Sequence, residues 1–219
     1  MQLDPLSFPD ARTLGNRAMA LAMLDAIICP ESQYRYFSFD AAWDVDARLG
    51  TMRNGEGDHW FLHLSDDGAI LKGYVHELPR GDARAMAREV QRRVPADFDS
   101  FLHEPAFLMD AASYCYWRRH DDAQWSRVAH PERELAHLSD GSADYLSILL
   151  APADCYYEYA TDYFECEPSL ASIEHIYAHA PLTAAIVRSL NPHMSLADAQ
   201  AAAAAIGYPW VAQRASLAC

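Results

Sequence analysis

Lysine is almost absent from this 219-residue chain: Lys72 stands alone beside 16 arginines, a bias that carries no functional weight by itself. Basic residues of both kinds are scarce, 17 against 31 acidic ones, for a formal net charge of −14. Counterion release at a nucleic acid or an anionic membrane needs clustered Lys and Arg, so the charge argues against both as partners and favours a basic or uncharged one. No C-x-x-C pair occurs, and the five cysteines (Cys29, Cys115, Cys155, Cys166 and Cys219) are odd in number and far apart. That fits free, mostly buried thiols in a reducing compartment better than a disulfide framework. The apolar run 18–29 is broken by Asp25 and is too short to span a bilayer, and Asp4 and Asp10 precede the first Arg, unlike a signal peptide. The chain therefore reads as cytoplasmic. Neither a Walker A pattern nor Gly-x-Gly-x-x-Gly is found, and Asn54-Gly-Glu-Gly57 places an acid where a phosphate would lie. A Gly-x-Ser-x-Gly elbow is also missing.

What is present is an ordinary globular composition, 51% hydrophobic and 22% charged, long enough for one domain with a real core. Residues 12–29 predict a largely buried helix stopped by Pro30. The period then changes. Residues 34–39 are aromatic-rich like a strand, and His59 to Leu64 alternates, with Trp60, Leu62 and Leu64 on one face and His59, Phe61 and His63 on the other. Asp66-Asp67-Gly68 before the run 69–75 predicts a type I′ hairpin, and Asn54-Gly55 a further turn. Residues 83–94 predict a helix carrying Arg84, Arg88 and Arg92 on one face, a stripe expected to pair with carboxylates within or between subunits. Tyr114 to Trp117 offers one more strand. Helices are expected over 131–138, 142–150, 153–165, 169–180, 182–190 and 196–206, with Pro152 and Pro181 in first turns and Ser195 as a cap. The fold class is α+β: a part over 1–130 with a small antiparallel sheet, then a helical part over 131–219, packed together as one domain.

Charge is distributed unevenly along the chain. From Glu134 to Val187 there are nine acidic residues and no Lys or Arg. Within that window Asp154, Glu158, Asp162 and Glu165 recur at spacings of four, four and three and line one helix face, while Tyr156, Tyr159 and Tyr163 line another. Like charges at i, i+4 repel, so folding alone does not favour the stripe. It serves either as a solvated face or as a docking surface for a basic partner, with the tyrosines as contact area.

Other constellations are weaker. His175-Ile-Tyr-Ala-His179 has zinc-compatible spacing but lacks the Glu of a zincin, and Glu134-Leu-Ala-His137 is a lone Glu-x-x-His, so no metal or cofactor is expected. Cys115 lies in an aromatic run where a thiol is inert packing. His59, His63 and His76, with Asp58 and Glu77, form the best acid/base candidate, and a hydrolase built on them is the alternative reading. It requires that the imidazoles converge on a pocket and that a carboxylate orients one of them.

Asp25-Ala-Ile-Ile-Cys-Pro30 before Tyr34-Arg-Tyr-Phe37, Met52-Arg-Asn-Gly-Glu-Gly-Asp58, Ala69-Ile-Leu-Lys-Gly-Tyr74, Pro181-Leu-Thr183, Leu190-Asn-Pro192 and Ile206-Gly-Tyr-Pro209 together resemble a bacterial family of uncharacterised proteins. That family in turn looks like the immunity proteins of polymorphic toxin systems. The resemblance implies a non-enzymatic protein that occludes the active site of a cognate toxin with a basic surface, and it supplies no catalytic residue. A homo-oligomer joined between the arginine stripe and the acidic window is a further alternative.

Overall fold

The computed structural model describes residues 2–78, 80–132 and 138–211, and the protein it shows is α+β. Helix α1 (Ala11–Ile28) starts where Asp10 accepts the Thr13 N–H at 2.9 Å and ends before extended Cys29 and Pro30. Its Ala, Leu and Met content favours a helix, and from Ala18 to Ile27 every residue is buried. Such all-round burial requires cover on both sides. One side is an antiparallel sheet in simple chain order, β1 (Phe37–Asp44), β2 (Ala47–Arg53), β3 (His59–Ser65), β4 (Gly68–Tyr74), β5 (Tyr114–Arg119) and β6 (Ser126–Arg127). Gly15 permits the close approach, since a Cβ there would lie 2.8 Å from Leu64 Cδ1 of β3.

Between β4 and β5 the chain crosses the opposite sheet face as α2 (Arg80–Arg93) and α3 (Asp99–Leu102). Met86, Ala87 and Val90 of α2 pack there with Phe101, Phe107, Phe61 and Ile70. The central strands β3 and β4 are therefore covered on both faces, which explains why β3 is enclosed throughout its middle although its sequence alternates, while edge strand β1 keeps an exposed face. The C-terminal elements α4 (Ser142–Tyr145), α5 (Ser147–Leu150), α6 (Ala153–Tyr163), α7 (Leu170–Tyr177), α8 (Ala184–Leu190) and α9 (Leu196–Ile206) cover α1 from its other side. One continuous cluster joins Leu21 and Met23 of α1 and Trp60 of the sheet to Tyr156, Ile173, Val187 and Ala203. That cluster contains residues from both sides of position 130.

Several boundaries differ from the sequence expectation. The first strand begins at Phe37 rather than residue 34, because Ser32–Tyr34 is a 3-10 turn and the buried carboxylate of Asp25 accepts the N–H groups of Tyr36 and Phe37. The hairpin at 66–68 forms, but not as type I′: positive φ falls only on Gly68, at 143°, where a Cβ would strike the backbone of Arg118 and Arg119. The expected helix 142–150 is two short ones meeting at Leu146, and 182–190 starts at Ala184 because Leu182 bridges to Trp210. Pro152 stands one residue outside α6, at its N-cap. Most of the helix expected over 131–138, with Glu134 and His137, lies outside the described residues, as does Cys219.

Candidate functional site

Helix α6 carries the acidic stripe. Asp154, Glu158 and Asp162 are exposed along it, and none forms an ion pair with the described residues. Glu165 is exposed too, but the helix ends at Tyr163, and Glu165 sits two residues beyond with φ of 52°. That is the left-handed position where helix ends ordinarily place Gly. The stripe thus comprises three residues on the helix and a fourth just past its end.

The tyrosines divide by depth, which corrects their assignment as a shared contact surface. Tyr156 is fully buried and donates its hydroxyl to Asp25 at 2.7 Å. Tyr159 is half-buried, packed on Tyr36, Phe37 and Tyr156, with its hydroxyl oxygen buried. Both fasten α6 to α1 and β1. Only Tyr163 is at the surface, 39% exposed, with its ring 4.3 Å from that of Tyr36. The periodicity that places the tyrosines opposite the acids is the core-facing side of an amphipathic helix.

Asp25 is the anchor beneath this helix. Burial pushes its carboxyl up to about 7, against the opposing pull of the Phe37 N–H, the Tyr156 hydroxyl and the Tyr36 N–H. It joins three elements distant in sequence, and nothing in its local pattern announces that role.

The three histidines do not converge. His59 and His63 lie on the α2 side of the sheet, and His76 lies in the turn after β4. The His59 ring makes two contacts that fix one neutral tautomer: Nδ1 donates to the Gly57 carbonyl (3.1 Å), and Nε2 accepts from Lys72 Nζ (3.3 Å). Burial, with the Lys72 charge, lowers its pKa to about 4. Lys72 also donates to the carbonyls of Phe107 (3.1 Å) and Leu108 (3.0 Å), so its three N–H groups have three acceptors. Burial lowers that ammonium to about 8. A saturated amine tying a loop to β4 is structural. His63 is buried against Phe101 and Phe107, and burial lowers its pKa.

His76 comes nearest to a catalytic geometry. Its Nδ1 lies 2.9 Å from Asp58, and this hydrogen bond raises the imidazole pKa. Burial pushes the Asp58 carboxyl up, but the His76 N–H, the Tyr145 hydroxyl, the His76 ring and the Asn54 amide together hold it below the ordinary range. Of the hydrolase requirements, the carboxylate that orients an imidazole is present and the convergence of imidazoles is not. The four-donor Asp58 also pins the β2–β3 turn to the turn after β4 and to α4, a structural task sufficient for its burial.

Among the described residues, no group of three or more His, Cys, Asp and Glu is placed to hold a metal ion. His175 lies near the Pro181 carbonyl (3.0 Å), and His179 falls beyond α7 at φ 54°, so the two do not share a helix face. Cys29 and Cys115 are buried, Cys155 and Cys166 partly so, and all four are free. Burial pushes the Cys115 thiol up to about 12. In the α2 stripe Arg92 pairs with Glu89 of its own helix, while Arg84 and Arg88 are exposed. No helix among the described residues is long and apolar enough to cross a membrane.

Sequence reading missed one feature. Arg12, Arg48, Arg118 and Arg119 line a single cleft at the N-terminal end of α1, although they come from a helix and two strands far apart in the chain. No local pattern could show it. Comparisons with protein-family profiles, with curated proteins and with solved structures find no match for this chain.

Proposed function

We propose that this protein is a non-enzymatic binding protein whose α6 face docks on a basic surface of a protein partner, most concretely as an immunity protein that occludes the active site of a cognate toxin. The observation that carries the reading is the unpaired exposure of Asp154, Glu158 and Asp162 along α6. Repulsion along that stripe costs a few tenths of a kcal/mol per pair, and no ion pair with the described residues offsets it. A basic partner would supply that offset and be steered to the face over a long range. Tyr163 adds an amphipathic ring at the same helix end, whereas Tyr156 and Tyr159 keep the helix rigid against the core. Rigidity reduces the entropy lost on docking.

The test is co-expression with the protein encoded by the adjacent gene. Protection from its toxicity should be lost on Glu158→Lys with Asp162→Lys and retained in an equally charged control, Asp46→Lys with Asp66→Lys. Protection by both variants would exclude α6 as the docking face.

A further inference from the structure

We infer that the cleft at the N-terminal end of α1 binds a small multivalent oxyanion, with a diphosphate-bearing metabolite as its chemical class. The cleft has a volume of about 610 Å³, within the range of roughly 300–1,000 Å³ usual for small-molecule sites. Its arginines stand in an otherwise acidic protein, and three of the four make no ion pair with the described residues. Arg12 and Arg48 are exposed and make no ion pair with the described residues. Arg118 donates Nε to the Asp122 carbonyl (2.9 Å), a neutral acceptor, and Arg119 pairs with Asp97 at 3.0 Å. The one carboxylate lining the cleft, Asp10, caps α1 by accepting from the Thr13 N–H and hydroxyl, which hold its pKa below the ordinary range. It can balance one guanidinium at most.

Two further features suit an oxyanion. The N-terminal end of the 18-residue α1, where the helix macrodipole is positive, lines the cleft with Asp10, Ala11 and Arg12. Guanidinium forks bind phosphate oxygens in pairs, which a lysine ammonium cannot do. Gathering four guanidinium groups opposes folding through mutual repulsion, and among the described residues only one of the four, Arg119, has an ion-pair partner, Asp97. A nucleic acid would be repelled by the chain as a whole. A small anion inside the cleft, however, lies within about one 8 Å screening length of the arginines and feels mainly their field.

This site is independent of the proposed docking face. Asp25, which holds α6, lies near the far end of α1 from Asp10, about 22 Å away at the rise of an α-helix. The experiment is titration calorimetry of the full chain with inorganic pyrophosphate at fixed ionic strength. Saturable one-site binding is expected, weakened about tenfold or more by Arg12→Gln with Arg48→Gln and unchanged by the α2 control, Arg84→Gln with Arg88→Gln. On the unaltered protein, pyrophosphate should also shield Arg12, Arg48 and Arg118 from phenylglyoxal, as read by peptide mass spectrometry. Absent saturable heat, equal affinity in the Arg12/Arg48 variant, or unshielded arginines would overturn the inference.

Discussion

At the scale of single residues, the buried ionisable groups make the sharpest claims. Because burial raises Asp25 from 3.8 to about 7, the folded protein holds a proton there that the unfolded chain has released between about pH 4 and 7. Its contribution to stability is therefore full below that window and declines as pH rises through it. Asp25→Asn removes the titration while keeping an oxygen for the two backbone N–H groups. The variant should gain on the original protein by on the order of a few kcal/mol between pH 4.5 and 8 in urea unfolding. A difference that does not change with pH would contradict the burial of an ionisable Asp25. Lys72 gives a second check. With its amine enclosed, Lys72 should stay unmodified when the folded protein meets an amine-directed reagent at pH 8, and react once urea is added. Modification of folded Lys72, seen by mass spectrometry, would refute its placement. Neither residue was legible in sequence. Asp25 reads as an interruption of an apolar helix and Lys72 as one cation in a strand, because their partners at Tyr156 and Phe107 are brought near only by folding.

At the scale of elements, periodicity was informative where an element has one buried face and less so where burial is complete or tertiary contacts intervene. The alternation of His59 to Leu64 correctly separated the two faces of β3 but not the fact that α2 covers the second. The Asp66-Asp67-Gly68 hairpin was visible, whereas its turn geometry followed from the nearness of β5, which no local signal carries. Helix α6 starts at the expected residue 153 but ends at Tyr163, two residues before the expected 165. Glu165 lies in the left-handed region, which costs a residue bearing a Cβ roughly 1–2 kcal/mol. Glu165→Gly should stabilise the fold by about 0.5–1 kcal/mol once the greater freedom of Gly in the unfolded chain is discounted. Thermal unfolding measures this, and a lower melting temperature would show that the Glu165 side chain supports the helix end.

At the scale of the whole molecule, the net charge of −14 conceals two regions of opposite character. The acidic face could be read from the sequence because α6 is one continuous segment and its period is helical. The arginine cleft could not, since Arg12, Arg48 and the pair Arg118 and Arg119 are gathered only by the packing of α1 against the end of the sheet. Chain order likewise suggested an N-terminal sheet part and a C-terminal helical part, while the core runs through both around α1. The acidic face and the arginine cleft lie toward opposite ends of that helix, so each can be altered without touching the other.

In the proposed function it is the α6 face, and not the overall negative charge, that binds a basic partner. The most direct measure is the dissociation constant for the product of the adjacent gene, the partner that the proposed function requires, determined by calorimetry for two variants of identical net charge. Glu158→Lys with Asp162→Lys is expected to weaken binding about a hundredfold or more, as loss and reversal of contacts at an interface centre would do. Asp46→Lys with Asp66→Lys is expected to change it less than about threefold. Equal losses in the two variants, or none in the first, would contradict docking through α6.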